Sequence, residues 1–396
     1  MLRRLADTAA PGSIRSAEYK LIGRLNLSAI FSAIGDRHDR QVSPVFSKPG
    51  EGAGSAQTLD EHAAIEYQDP HHVTTSQVER PVRYIDADTV KRALPYAELV
   101  AALRRIYADK GLAARRELID ISAVNGVQGA CMAHMPAFGP GHDITTKIFT
   151  VFPDNRAQGL PTVNAVVLVF DAGTGRLKAL LDGAELTRRR TAAMSALAST
   201  YLSREDARTL TVCGAGALAP HAALAHAAVR PIDKIGIWAR NPRAAADVAA
   251  RVESARPDIS VFVVRDLAAA CAHSDLVSCQ TSSPDPVVFG AWLAAGAHLD
   301  LVGSHDPKRR ECDDEAARIS RIYVDVMDSA MREAGDILIP IANGTITAGD
   351  VSGDLSDLCR GNVAGRASAE QITLFKSTGS ALADMAAAEL VLKNAL

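Results

Sequence analysis

The 396-residue chain has no excess of basic residues: 43 Lys plus Arg stand against 46 Asp plus Glu, a formal net charge of −3. A nucleic-acid or membrane-surface protein needs a cationic stripe, so neither kind of partner is expected. Also missing is any apolar run near the roughly 18–20 residues that a bilayer span requires. The longest, around Ala165–Phe170, has strand length. The six cysteines (Cys131, Cys213, Cys271, Cys279, Cys312, Cys359) contain no CxxC pair. They read as buried thiols of a reducing compartment, which makes the expected location cytoplasmic, and not as a disulfide framework. No HExxH and no Cys/His cluster suggests a metal site; His221 and His226, at i,i+5, do not stack on one helix face. No internal repeat is present. What is there is an ordinary globular composition, 47% apolar and 22% charged, in a chain long enough for two or three domains.

Residues 1–80 differ from the rest. The first forty carry several Arg and a weakly apolar stretch at Leu21–Ile34, and Ser43–Pro81 is rich in Gly, Ser, Pro, Gln and His without a sustained period. This segment is expected to be mostly disordered, with one short helix. Asp7 and Glu18 interrupt the acid-poor pattern of a targeting peptide, so a dispensable extension or an upstream start is the plainer reading. Order is expected from Val82, with a strand at Val82–Ile85, a cap at Asp86 or Asp88, and a helix over Tyr96–Lys110. Short alternating runs follow at Glu117–Ile121, Ala130–His134, Thr146–Phe152 and Val163–Phe170, separated by turn signals such as Asn125-Gly126. This spacing predicts an antiparallel meander, and Ala192–Leu202 a helix.

From Arg208 the pattern changes. Strands are expected at Thr209–Cys213, Lys234–Trp238, Ser260–Val264, Leu276–Cys279 and His298–Val302, alternating with helices that include Arg243–Ser254. That alternation predicts a parallel, doubly wound sheet. After Pro340 the chain is expected to return to helices, ending in Thr373–Leu396.

The first functional signal is Gly214-Ala215-Gly216-Ala217-Leu218-Ala219, which follows a strand and opens a helix. Glycines there permit a tight turn and close approach to a pyrophosphate, whose charge the helix N-terminus favours. At the end of the second strand stand Arg240 and Asn241, where an NAD site ordinarily puts Asp or Glu. Arg pairs with a 2′-phosphate, so NADPH is favoured, with NADH or NAD+ as the alternative. Lys147 lies on a strand among apolar neighbours, and Arg188, Arg189 and Arg190 precede Thr191-Ala192-Ala193. A lone strand Lys is ordinarily exposed and an Arg triplet ordinarily a solvated face, yet a cation beside a nucleotide site is a natural clamp for a carboxylate. The loop Gly303-Ser304-His305-Asp306-Pro307 follows an apolar strand, where such sheets bind ligands, and His305 and Asp306 can transfer protons. The plainer reading of that loop is an Asx-capped turn.

Taken in order, these residues resemble the ornithine cyclodeaminase/μ-crystallin family. The matching segments include Met135-Pro136-Ala137, Thr145-Thr146-Lys147, Gly159–Val163, Arg190–Ala193, the glycine motif, Thr281-Ser282-Ser283-Pro284, Val302-Gly303-Ser304, Arg310-Glu311, Glu333–Asp336 and Phe375–Gly379. The resemblance covers about Val82 to Leu396. It implies an α/β protein: a Rossmann dinucleotide-binding domain over 206–339, and an α+β substrate and dimerisation domain over 82–205 with 340–396. In the second domain an antiparallel half-barrel sheet would pair across a two-fold axis of a homodimer. By position, Lys147 and Arg190 match the family's substrate-carboxylate clamp; Arg116 is the best match for its third member, with Arg115 beside it. Thr191 and the glycine loop match the pyrophosphate site, Thr281-Ser282 belong to the cofactor side, and Ser377 is expected near the cofactor.

One departure decides the expected activity. Cyclodeaminases carry an Asp two residues before the proline of the 303–307 loop, and here that position is His305. The resemblance therefore implies an NADPH-dependent reductase of cyclic imino acids, with Δ1-pyrroline-2-carboxylate or Δ1-piperideine-2-carboxylate reduced to L-proline or L-pipecolate. The carboxylate would sit on Arg116, Lys147 and Arg190, with His305 and then Asp306 as candidate acids. The alternatives are ornithine cyclodeamination on bound NAD+, and a μ-crystallin-like protein that binds NADPH and a small ligand without turnover. Opine synthesis or amino-acid dehydrogenation is a minor fourth.

Overall fold

The computed structural model describes residues 82–395, apart from His305. The expected disorder and helix of residues 1–80 lie outside them.

The first part of the described chain runs β1 (Arg83–Ile85), α1 (Ala87–Ala93), α2 (Tyr96–Ala108), β2 (Ala113–Ala114), β3 (Glu117–Asp120), α3 (Ser122–Asn125), β4 (Cys131–Phe138), β5 (Ile144–Val151), β6 (Val163–Phe170), β7 (Leu177–Asp182) and α4 (Gly183–Leu202). Asp86 caps α1, accepting from Thr89 N at 2.8 Å. The strands form one sheet in the order β1-β7-β6-β5-β4-β2, with β3 also on β4. It is the expected antiparallel meander, except that β1 joins β7 in parallel.

Side chains alternate across this sheet. One row, Ile85, Leu181, Val167, Lys147 and Met135, is buried against helices. The next row, Tyr84, Leu180, Leu168, Thr146 and Pro136, points the other way, and Tyr84 is 66% exposed. Lys147 thus sits in the middle of the core-facing row and is 2% exposed, against the ordinary expectation for a lone strand lysine.

The second part runs β8 (Thr209–Cys213), α5 (Ala219–Ala227), β9 (Lys234–Trp238), α6 (Pro242–Ala255), β10 (Ser260–Val263), α7 (Leu267–Ala272), β11 (Leu276–Cys279), β12 (His298–Leu301), α8 (Asp314–Ile319), β13 (Arg321–Val324), α9 (Met327–Glu333), α10 (Gly335–Ala342), β14 (Val351–Asp354), α11 (Leu355–Arg360), β15 (Thr373–Lys376) and α12 (Ala381–Ala395). All eight strands are parallel, in the order β10-β9-β8-β11-β12-β15-β13-β14. Order reverses between β8 and β11, the kind of switch point at which such sheets bind ligands.

Two expectations are corrected here. The chain does not simply return to helices after Pro340: β14 and β15 join the parallel sheet, so that sheet draws on residues beyond 206–339. Nor is Thr373–Leu396 one helix, since Thr373–Lys376 is a strand wedged between β12 and β13, and Gly379, at φ +94°, turns the chain into α12. All four residues of β15 are buried. A four-residue run buried on both faces has no period to read, and its flanking ladders decide its conformation. The last helix, α12, goes back to the first sheet, packing on β4, β5, α2 and α4, and α11 also packs on α2.

All six cysteines are free; Cys213, Cys271, Cys279 and Cys312 are buried in or beside the parallel sheet. Among the described residues no helix is long and apolar enough to cross a membrane.

Candidate active site

Three cations from distant parts of the chain converge. Lys147 comes from β5, Arg190 from α4 and Arg116 from the residues just before β3. Asp384, fully buried on α12, holds two of them: Lys147 Nζ lies 2.9 Å from its Oδ2, and Arg190 Nε donates to Oδ1 at 2.8 Å. Arg116 donates to Glu333 Oε2 at 2.5 Å and to the Thr378 carbonyl at 2.7 Å. A Cβ on Gly379 would stand 3.5 Å from Arg190 Nη1 and 4.0 Å from Arg116 Nη1, so both guanidinium groups border this glycine. Burial, with Arg190 beside it, pulls the Lys147 ammonium down to about 8, while Asp384 opposes the shift. Arg116 Nε is buried without a partner among the described residues. Arg190 separates from its neighbours because successive helical residues turn by about 100°. Arg188 and Arg189 both pair with Glu185 instead, each at 2.9 Å.

The loop Ser377–Gly379 is shaped by Asp325. Its carboxylate accepts from Ser377 Oγ (3.0 Å), Thr378 N (2.8 Å) and Gly379 N (2.6 Å). Ser377 therefore stands beside the cationic cluster, on the strand end that carries Gly379, rather than in the wall of the cavity described next.

That cavity, of about 380 Å³, opens at the switch point and is lined by residues that include Gly214, Ala215, Gly216, Arg240, Thr281 and Ser282. Gly214 has φ +126°, and a Cβ there would meet the Gln280 carbonyl at 2.7 Å. A Cβ on Gly216 would meet nothing within 4 Å, so this glycine leaves open space for a close-lying ligand. The α5 N-terminus carries no side-chain cap, and its dipole favours an anion there, although Ala219 N already donates to the Gly216 carbonyl at 3.2 Å and Pro220 has no N–H. Arg240 is exposed at the cavity rim and makes no ion pair among the described residues, while Asn241 is taken up as the N-cap of α6. These features fit a dinucleotide. Ala217, Leu218 and Ala219 form the turn into α5 and do not line the cavity; nor does Thr191, which stays on α4 beside Arg190.

Behind the cavity, two loops are locked together. Glu311 accepts from Thr281 N (2.6 Å), Thr281 Oγ1 (2.8 Å) and Gly303 N (2.7 Å). Burial pushes its carboxyl up to about 7, opposed by Lys376. Asp336 in turn accepts from Glu311 N at 2.6 Å and pairs with Lys376 Nζ at 2.8 Å, and both side chains are buried. Since Lys376 leads directly into Ser377–Gly379, this network ties the cavity loops to the cationic cluster. At Gly303 a Cβ would fall 1.6 Å from the Thr281 carbonyl oxygen. Backbone meets backbone there, so Gly303→Ala is expected to destabilise the protein by at least about 2 kcal/mol in chemical denaturation, with a parallel loss of cofactor binding.

Asp306 is not brought into the cluster. It caps its own loop, accepting from Lys308 N at 2.8 Å, and its side chain is half-exposed. His305 lies outside the described residues. The two histidines weighed for metal go apart: His221 Nδ1 meets Tyr96 Oη at 2.8 Å, and His226 lies between Ser199 and Asp300. Sequence reasoning missed Asp384, Asp325, Glu333 and the Glu311–Asp336–Lys376 network as site residues. Single acids on helices and loops carry no local pattern. Of these, only Glu311, Glu333, Asp336 and Lys376 fall within segments that carry the family resemblance.

The parallel sheet, its glycine turn and the cavity above them define a dinucleotide-binding α/β protein. A family model, "Ornithine cyclodeaminase/mu-crystallin family", matches residues 114–396, and the chain belongs to that family. It is 32% identical over 314 residues to a Delta(1)-pyrroline-2-carboxylate reductase of Colwellia psychrerythraea, covering 79% of this chain and 99% of the relative. It is 40% identical over 246 residues to the enzyme of the same name from Paracoccus denitrificans, covering 62% and 77%. Among solved structures, Delta(1)-pyrroline-2-carboxylate reductase of Thermococcus litoralis, in complex with NADH and L-proline, superposes with a TM-score of 0.75. It shares 29% identity, with 79% of this chain and 97% of that one covered.

Proposed function

We propose that this chain is an NAD(P)H-dependent reductase of cyclic imino acids, converting Δ1-pyrroline-2-carboxylate or Δ1-piperideine-2-carboxylate to L-proline or L-pipecolate. The observation that carries the reading is a cluster in which Arg116 and Arg190 border Gly379 and Asp384 joins Lys147 to Arg190, tied through Lys376, Asp336 and Glu311 to the walls of a dinucleotide cavity. The names of the Colwellia, Paracoccus and Thermococcus proteins support it. When bound, the nicotinamide supplies the hydride that reduces the C=N carbon. The chain binds and orients: the three cations take the carboxylate, with guanidinium donors suited to bidentate contact. Asp384 and Glu333 hold those cations in place before substrate arrives. The segment 82–205 with α12 is the substrate side and the parallel sheet the cofactor side.

The test is loss of nicotinamide absorbance with NADPH or NADH and Δ1-pyrroline-2-carboxylate, beside a tube of ornithine and NAD+ assayed for ammonia. Rapid NADPH loss without ammonia supports the reductase; ammonia with an idle reductase assay overturns it in favour of cyclodeamination. Tight NADPH binding with no turnover in either tube would favour a binding protein. Arg240 supports NADPH over NADH, since no acid replaces it at the cavity rim. Arg240→Asp is expected to weaken NADPH by about tenfold or more and to spare NADH, because a charge-assisted bond to the 2′-phosphate is lost; the KM for each cofactor reads this.

The outward row of the first sheet supports a homodimer. Tyr84, Phe138 and Ile144 are exposed, and the helices that contact this sheet pack on its other, buried face. A second copy of the same sheet is the occupant that two-fold symmetry would supply. The free, mostly buried cysteines support a cytoplasmic location.

A further inference from the structure

The cationic cluster is not evenly buried. Lys147, Arg190 and Asp384 are at most 5% exposed, while Arg116 is 13% and Glu333 25% exposed, so a molecule that enters meets this last pair first. Both oxygens of the fully buried Asp384 lie within 3.0 Å of Lys147 Nζ, and Arg190 Nε donates to one of them at 2.8 Å. Glu333 is committed through Oε2 alone, which accepts from Arg116 Nη2 at 2.5 Å; its Oε1 has no hydrogen-bond partner among the described residues. Glu333 ends α9, and two residues further on a Cβ at Gly335 would collide with the Arg309 carbonyl and meet the Asp306 carbonyl at 2.8 Å. The acid therefore stands between the clamp and the loop at the carboxyl end of β12, where a parallel sheet binds its ligands.

Charge limits what this free oxygen can face. Arg116, Lys147 and Arg190 stand against Asp384 and Glu333, three positive groups against two negative ones, and the excess suits one carboxylate. A protonated cyclic imine brings a positive group as well, which needs an acceptor of its own. In a 2-imino acid the nitrogen and the carboxylate are bonded to the same carbon. With the carboxylate on Arg116, the N–H falls within reach of the acid that Arg116 itself holds. A carboxylate paired with a guanidinium only accepts hydrogen bonds. It matches an N–H, whereas the carbonyl oxygen of a 2-oxo acid would set acceptor against acceptor. A site built on one hydrogen-bond pattern rejects the analogue that lacks it.

We propose that Glu333 is a catalytic and specificity-determining residue: its Oε1 accepts from the N–H of a protonated cyclic imine whose carboxylate lies on Arg116, and so selects an iminium over a carbonyl at that position. The assignment rests on the reductase reading of the site. In the reduction the C=N carbon gains a hydride from NADPH, which is oxidised to NADP+, and the π pair becomes the lone pair of nitrogen. The proton that Glu333 accepts stays on nitrogen throughout, so the residue gives up no proton and keeps its pair with Arg116. Its contribution is to hold the substrate in its protonated form, the form that takes hydride.

The test compares Glu333→Gln with wild type on the full chain, using two ligands. One is Δ1-pyrroline-2-carboxylate, followed by kcat/KM with NADPH. The other is 2-oxopentanoate, an open-chain acid of the same carbon count with oxygen in place of N–H, its affinity measured by calorimetry in the presence of NADP+. Wild type must reduce the imine; if it does not, the reductase reading itself has failed, and not only the role of Glu333. Given that activity, Glu333→Gln is expected to lower kcat/KM for the imine about 10- to 150-fold, the range for one hydrogen bond to a charged group. Its amide oxygen can still accept from Arg116 and its N–H can donate to a carbonyl, so 2-oxopentanoate should bind about two- to tenfold more tightly. NADPH affinity should not change, because Glu333 does not line the cavity. An acid that only held Arg116 in place would weaken both ligands together, since both carry the carboxylate. Equal losses therefore overturn the proposal, and so does an unchanged kcat/KM. Should Glu333→Gln fail to fold, Glu333→Ala decides on the same two constants: kcat/KM for the imine must fall while 2-oxopentanoate binds no more weakly than to wild type.

Discussion

Lys147→Met should lower kcat/KM for Δ1-pyrroline-2-carboxylate by about 30- to 5,000-fold, the equivalent of the roughly 2–5 kcal/mol that a buried, hydrogen-bonded charge partner is worth. Affinity for NADPH should stay within about threefold, since Lys147 does not line the cavity. The methylene stem survives in Met, so the packing of the buried row against α12 is kept. Asp384 is not stranded either, because Arg190 Nε still donates to it at 2.8 Å. Leaving a buried carboxylate alone would be the costlier change, and Asp384→Ala, which strips both cations of their partner, should destabilise the fold more than Lys147→Met does. Stopped-flow or steady-state kinetics, with NADPH titration and Tm on the same preparations, separates the terms. Equal losses in cofactor affinity and kcat/KM would mean that Lys147 holds the fold and not the carboxylate.

The pH dependence of the same constant is the second large effect. Burial pulls Lys147 down to about 8 from the 10.5 of an exposed lysine. The clamp needs the protonated form, so kcat/KM, which reports the free enzyme, should fall about tenfold per pH unit above that point. Lys147→Arg should move this alkaline limb out of range, because a guanidinium stays charged. A limb unchanged in Lys147→Arg would belong to the substrate's own imine and not to the enzyme. Stability responds in the opposite sense. Between about 8 and 10.5 the unfolded chain binds a proton that the native chain does not, so the contribution of Lys147 to stability rises with pH across that window.

Much of the framework is legible before folding. Every strand from β8 to β12 lies where the alternation of apolar runs and helices puts it, within a residue or two at either end. The glycine turn is readable because its chemistry is local: Gly214 needs a positive φ and Gly216 needs the absence of a side chain, and both needs are stated by residue type at fixed spacing. The meander is legible for the same reason, since a half-buried strand shows its period of two. Lys147, Arg190 and Arg116 could be named from the family resemblance, and the structure sets Arg190 and Arg116 beside Gly379 and joins Lys147 to Arg190 through Asp384.

Other features escaped because they depend on what lies alongside. Thr373–Lys376 reads as the start of a long helix, and becomes a strand only because β12 and β13 offer ladders on both sides. Asp306 looked like an acid near the reacting atoms; in the fold it completes a turn with Lys308 N. Asp384 looked like one more polar residue in an Ala-rich helix. Its role exists only because α12 lies across β5 and α4 and sets its carboxylate between Lys147 and Arg190, 237 and 194 residues away in the chain.

The sequence by itself determined the kind of protein: two layers of different period, a dinucleotide turn, and a set of cations whose charge no nearby residue explains. These are properties of residue type and local spacing, and short-range sterics and hydrophobic periodicity suffice to express them. Tertiary structure alone decided which acids hold those cations, which loop the Glu311 carboxylate clamps, and that β15 carries the link between cavity and cluster. Those choices rest on buried charge pairs and hydrogen bonds between residues far apart in the chain. Such bonds are strong only after the fold has excluded water and brought the partners together, and so they leave no local trace to read.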